Sequence, residues 1–123
     1  MAMRFRVDPG DDRCTITFAG ILTAVDVKAA VQALIGAGAW TRNVLVDTRD
    51  VSQVVATAHD LHALADFLDR TTRHLPPRSR TVILADDDVL VGYARMYQSR
   101  VDGLLHMTVN VVRTEAEANA WLA

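Results

Sequence analysis

The sequence predicts a single α/β domain, a mixed and mostly parallel sheet with helices packed on it, in the element order ββαβαβαβα. Three observations predict it. Short apolar runs alternate with longer stretches in which apolar residues recur every three or four positions, the mark of strands joined by crossover helices. A cluster of turn formers, Asp8-Pro9-Gly10-Asp11-Asp12, separates the first two strands and gives the sheet an antiparallel start. The 123 residues, half of them hydrophobic and 23% charged, match one self-sufficient core. The expected domain covers residues 1–123, with no repeat, low-complexity tract or dividing linker.

The first strand is read over Arg4 to Val7 and the second over Cys14 to Phe18, with Cys14, Ile16 and Phe18 on the buried side and Thr15 and Thr17 opposite. Thr23-Ala24-Val25-Asp26 carries a helix start signal, a hydroxyl for the third helical N–H and a carboxylate for the positive helix end. A helix over 24–36 follows, with Val27, Ala30, Val31, Leu34 and Ile35 as its stripe and Gly36 and Gly38 as its stop. Val44-Leu45-Val46 suits a central strand buried on both faces, ending at Asp47 before an irregular stretch. Thr57-Ala58-His59-Asp60 repeats the start signal for a second helix with Leu61, Leu64, Ala65 and Leu68 inward, and Pro76 and Pro77 close it. Thr81 to Ala85 is another buried strand. Asp86-Asp87-Asp88 ends it and opens a third helix with Leu90, Tyr93, Ala94, Tyr97 and Val101 on one side. Met107 to Val112 makes the last strand, and Thr114-Glu115-Ala116-Glu117 reads as the capping box of a final helix with Ala118, Trp121 and Leu122 inward.

Charge and composition narrow the function. A net charge of -2 offers no positive field for a polyanion, so no nucleic-acid partner is expected. Cys14 is the one cysteine, which argues against a disulfide framework or a thiolate metal site. The start lacks a signal-peptide core, and no run reaches the roughly 18 apolar residues of a transmembrane segment. The expectation is a soluble protein of the bacterial cytoplasm.

With this element order and size, the chain resembles a STAS domain, the anti-sigma-factor antagonist-like or SpoIIAA-like superfamily. Gly20-Ile21-Leu22-Thr23 is similar to the family's Gly-x-Leu-x turn into the first helix, and Val44 to Val51 to its strand ending in Asp. Val111 to Ala118 is similar to its last strand and Glu-Ala-rich helix. The resemblance implies a regulatory protein-interaction domain rather than an enzyme. In the antagonists, Asp-Ser-Ser/Thr-Gly before the second helix carries the phosphorylated hydroxyl. The matching stretch here, Val55-Ala56-Thr57-Ala58, keeps a hydroxyl at Thr57 but lacks the Asp and the Gly. That departure places the chain nearer the divergent branch of the superfamily, which implies no settled activity.

Thr57 is therefore the first candidate site, for phosphorylation or partner contact together with Asp47 and Asp50. A phosphate at Thr57 would meet free helix N–H groups and add about -1.5 to -2 of charge. The plainer reading is an N-cap, as at Thr23 and Thr114. His59, His62 and Asp66 share one side of the second helix, opposite its apolar stripe, and read as a solvated face rather than a metal site. Asp47 and Asp86-Asp87-Asp88 fall at the carboxyl ends of neighbouring strands, where α/β sheets bind ligands. They have no accompanying nucleophile, phosphate loop or lysine, Lys28 of the first helix being the only lysine. Val89-Leu90-Val91 and Leu104-Leu105-His106-Met107 read as core or as the lining of an apolar pocket or dimer surface, with Leu90, Leu104, Leu105 and Met107 as candidate ligand contacts.

The sequence thus points to a non-enzymatic interaction domain with a regulatory protein partner and no catalytic set, metal or cofactor. The alternative is a carrier or sensor of a small apolar, lipid-like ligand, and a metal-dependent hydrolase comes third. A homodimer is compatible with the apolar stretches.

Overall fold

Alternation of polarity along the second strand decides which face of the sheet carries the main core. In β2 (Arg13–Thr23), Cys14, Ile16 and Phe18 are buried while Thr15 and Thr17 stay half exposed. The computed structural model describes residues 5–10, 13–76, 80–101 and 108–123. Its elements are β1 (Phe5–Pro9), β2, α1 (Ala24–Gly36), β3 (Asn43–Val55), α2 (Ala58–Thr72), β4 (Thr81–Leu84), α3 (Asp88–Val101), β5 (Val109–Val112) and α4 (Glu115–Leu122). The element order and the mixed, mostly parallel sheet are those read from the sequence.

The five strands lie in sequence order, β1-β2-β3-β4-β5, with β1 antiparallel to β2 and the remaining pairs parallel. Because the parallel strands advance in one direction, right-handed crossovers must place α1, α2 and α3 on a single face. Ala30, Val31, Leu34, Leu64, Leu68, Leu90, Val91 and Ala94 meet Ile16, Phe18, Val44 and Ile83 there. Helix α4 lies on the opposite face. Leu45, Val82, Leu84 and Val112 form a second, smaller core with its Ala118 and Leu122. All four residues of β4 are buried because both layers cover it. Asn43 and Arg80 side chains donate to the carbonyls of Leu122 and Trp121, supplying partners for the last turn of α4.

Several expected boundaries move. The first strand runs on through Asp8 and Pro9, pairing Asp8 with Thr15 and Pro9 with Cys14, into the cluster read as a turn. The second strand does not stop at Phe18, nor the third at Asp47. They continue as a parallel ribbon that pairs Ala19 with Asp50, Ile21 with Gln53 and Thr23 with Val55. Gly20-Ile21-Leu22-Thr23 is therefore strand, not turn. Two register shifts absorb the mismatch, and Gly20, at φ 78°, supplies a backbone shape that a residue with a Cβ rarely adopts. At Thr114 half of the capping box forms. Its hydroxyl accepts from the Glu117 N–H, but the Glu117 carboxylate accepts from the Thr114 hydroxyl rather than from the backbone N–H.

Candidate functional site

The ribbon carries β2 and β3 past the last residue of β4, so the carboxyl edge of the sheet extends beyond its neighbouring strand. Thr57 sits where that extension turns into α2. Its backbone is extended, its Oγ1 accepts from the Asp60 N–H at 3.1 Å, and the Asp60 carboxylate accepts from the Thr57 N–H at 2.8 Å. That backbone N–H holds the Asp60 carboxyl below the usual carboxylate range. Thr57 is exposed. Thr23 caps α1 with the same reciprocal pair to Asp26, and register pairing sets Thr23 beside Val55. The two helix starts and the ribbon tip therefore share one end of the molecule.

The same end holds most of the exposed hydrophobic side chains. Among the described residues these are Ile21, Val25, Val55, Val89 and Met96, with Val25 at 72% and Val89 at 63% exposure. All but Met96 lie at the carboxyl edge: Ile21 and Val55 on the ribbon, Val25 in the first turn of α1, and Val89 in the first turn of α3. Alternation turns Ile21 and Val55 outward while Leu22 and Val54 face the helices.

The carboxylates read as candidate ligands are largely engaged. Asp47 accepts from the Arg49 backbone N–H at 3.0 Å and from its guanidinium at 3.1 and 2.9 Å. The Arg49 hydrogen bond holds the Asp47 carboxyl below its ordinary range, against the opposing effect of burial. Arg49 also reaches Glu115 of α4 at 4.0 Å. Asp87 caps α3, its Oδ1 accepting from the N–H groups of Val89 and Leu90, and Asp88 pairs with Arg113 at 2.6 Å. Asp50 is exposed on the ribbon. Arg49, Asp86, Asp87, Val89 and Tyr93 line a groove between the ribbon and α3. His59, His62 and Asp66 are exposed, and His62 stands 3.5 Å from Arg100. Among the described residues, no group of three His, Cys, Asp or Glu side chains is placed to hold a metal ion.

Beneath α1, α2 and α3 the main core leaves a partly open cavity of about 130 Å³. Its wall is apolar, formed by Phe18, Leu22, Val27, Ala30, Leu64, Ile83, Leu90 and Ala94, with Tyr93 and Tyr97 half buried beside them. Three threonines, Thr23, Thr48 and Thr81, also reach it. Leu90 is the one candidate apolar contact placed on this wall; Leu104, Leu105 and Met107 lie outside the described residues. Sequence reasoning named an apolar pocket with Leu90 on its wall but missed the rest of the cavity lining and the exposed apolar edge. The signal for the first is the small side chains Ala24, Ala30 and Ala94 on two helices facing one sheet. The signal for the second is Val25, off the stripe of its own helix.

Among the described residues, no helix is long and apolar enough to cross a membrane. No protein-family model matches the sequence, and no curated protein matches it. Solved structures do. An uncharacterized protein from the DUF3478 family with a SpoIIAA-like fold, from Shewanella loihica PV-4, superposes with a TM-score of 0.59 at 18% identity, covering 97% of this chain and 92% of that one. The anti-sigma factor antagonist SpoIIAA in its unphosphorylated form superposes with a TM-score of 0.54 at 16% identity, covering 95% and 96%. Matched over nearly its whole length by both, the chain has the SpoIIAA-like fold.

Proposed function

We propose that this domain is a non-enzymatic regulatory module that docks a protein partner through the carboxyl edge of its sheet, around Thr57. One observation carries the reading: Ile21, Val25, Val55 and Val89 are exposed together at that edge, beside two helix N-termini. Isolated surface hydrophobics need no explanation, but a grouped set marks a surface that another molecule covers. The shared fold of the anti-sigma factor antagonist supports the same class of function. Asp47, Asp87 and Asp88 support it too, since they are engaged in ion pairs and a cap rather than converging on a reaction centre.

Thr57 is the residue through which such a contact would be switched. A phosphate there adds charge at an apolar edge and lies beside the Asp60 carboxylate, so it would weaken docking. The test is affinity capture from extracts of the source organism with quantitative mass spectrometry. Wild type is compared with a Val25→Asp/Val55→Asp double variant and with Met96→Asp, which places a charge on the middle of α3. A partner kept by wild type and Met96→Asp but lost from the double variant, and weakened by Thr57→Glu, is the expected result. Retention of the same proteins by all variants would overturn it.

The cavity favours a second reading, a sensor of a small apolar ligand. Its volume of about 130 Å³ is close to the roughly 150 Å³ of an apolar cavity that admits benzene, and below the roughly 300–1,000 Å³ of pockets for larger ligands. The reading therefore narrows from a lipid-like ligand to one of benzene size.

A further inference from the structure

Thr81 gives the cavity a chemical preference. It is the first residue of β4, and alternation along that strand places it with Ile83 on the helix-covered face, while Val82 and Leu84 face α4. Thr81 lines the cavity and is 4% exposed. Its Oγ1 is buried without a hydrogen-bond partner among the described residues. Buried hydroxyls nearly always have a partner, because leaving one unpaired forfeits its hydration for nothing in return. Valine has the same shape and would complete the wall without that loss. The other two threonines on the wall are engaged. Thr48 donates to the Leu84 carbonyl at 2.8 Å, and Thr23 is bound to Asp26 in the α1 cap.

We infer that the cavity binds a small neutral molecule about the size of phenol, apolar except for one hydroxyl-class group that pairs with Thr81 Oγ1 once a turn of χ1 brings that covered atom onto the cavity wall. The hydrocarbon part lies against Leu64, Ile83 and Ala94, and the polar atom meets Thr81 at the start of β4, away from the ribbon. A hydroxyl is both donor and acceptor, so either partner can supply the proton. The volume suits a compact molecule, and the uncharged wall disfavours an ionised head group. This assignment rests on the second reading above and adds to it a recognition element.

Phenol and toluene test it, since they share a shape and differ by a hydroxyl in place of a methyl group. Both are titrated calorimetrically into the wild type, Thr81→Val and Ala94→Leu, the last projecting a larger side chain into the cavity. The phenol-to-toluene affinity ratio is expected to fall about tenfold from wild type to Thr81→Val, and Ala94→Leu is expected to abolish binding of both. Without ligand, Thr81→Val is expected to melt no lower than the wild type. Toluene binding with an unchanged ratio in Thr81→Val would overturn the role of Thr81 and leave the cavity reading standing. Failure of the wild type to bind either probe would overturn both.

Discussion

Removing the Thr57 hydroxyl separates its structural role from its proposed regulatory one. Thr57→Ala deletes one hydrogen bond, from the Asp60 N–H to Oγ1 at 3.1 Å, but leaves the reciprocal bond from the Thr57 N–H to the Asp60 carboxylate. The freed N–H lies at an exposed helix end where water can reach it, so the cost should sit at the usual size for a lost cap, about 1 kcal/mol. With a urea m-value of about 1.5 kcal/mol/M, the unfolding midpoint falls by about 0.7 M. Thr57→Ser keeps the acceptor and should stay within a few tenths of a kcal/mol of wild type. Equilibrium urea unfolding followed by far-UV circular dichroism reads both. If Thr57→Ala unfolds at the wild-type midpoint, the hydroxyl is not a working cap, and the reciprocal pair that defines the start of α2 is wrong. If Thr57→Ser loses as much as Thr57→Ala, the bond is not the source of the stability.

Three further outcomes follow from the same geometry. Arg49 lowers the pKa of Asp47, so their interaction contributes stability in full above the ordinary carboxylate value of about 3.9 and loses it as the pH falls toward the lowered one; NMR titration of Arg49→Gln should return Asp47 to the ordinary range, with earlier acid unfolding. Leu84 is fully buried between β4 and α4, and Leu84→Ala should cost about 2–5 kcal/mol in denaturant unfolding. Gly38 has φ 70° with open space around its missing Cβ, so Gly38→Ala should cost about 1 kcal/mol from backbone shape alone. Gly36, in the last turn of α1 and equally uncrowded, should accept alanine with a gain of about 0.4–1 kcal/mol. Thermal melts of the two glycine variants should therefore move in opposite directions.

Local chemistry made much of the fold legible. Thr23, Thr57 and Thr114 each carry a side chain that accepts from the third helical N–H, and each opens the helix the sequence implied. The side-chain alternation of Cys14 to Phe18 and the burial of β4 follow from polarity alone. The ribbon was not legible, because Gly20 and the run Asp47-Thr48-Arg49-Asp50 have the composition of turns. Pairing between strands distant in sequence, helped by register shifts and a glycine at positive φ, overrides that local preference.

The candidate site was legible only in part for related reasons. Thr57 stood out because its type and its place before an apolar helix coincide. Asp47 looked available as a ligand until Arg49, two residues on, closed over both of its oxygens. The apolar edge depends on where β2 and β3 end, and the cavity on which small side chains face one another. Neither follows from the period of any one segment. The free hydroxyl of Thr81 is likewise a property of its surroundings rather than of its position in the chain.

Hydrogen exchange on the domain bound to its captured partner tests the docking surface most directly. Protection on binding should be confined to residues 19–25, 50–60 and 88–90, the ribbon and the helix starts at the carboxyl edge. Protection confined to α4 and the sheet face beneath it, with the ribbon exchanging as in the free protein, would contradict the account.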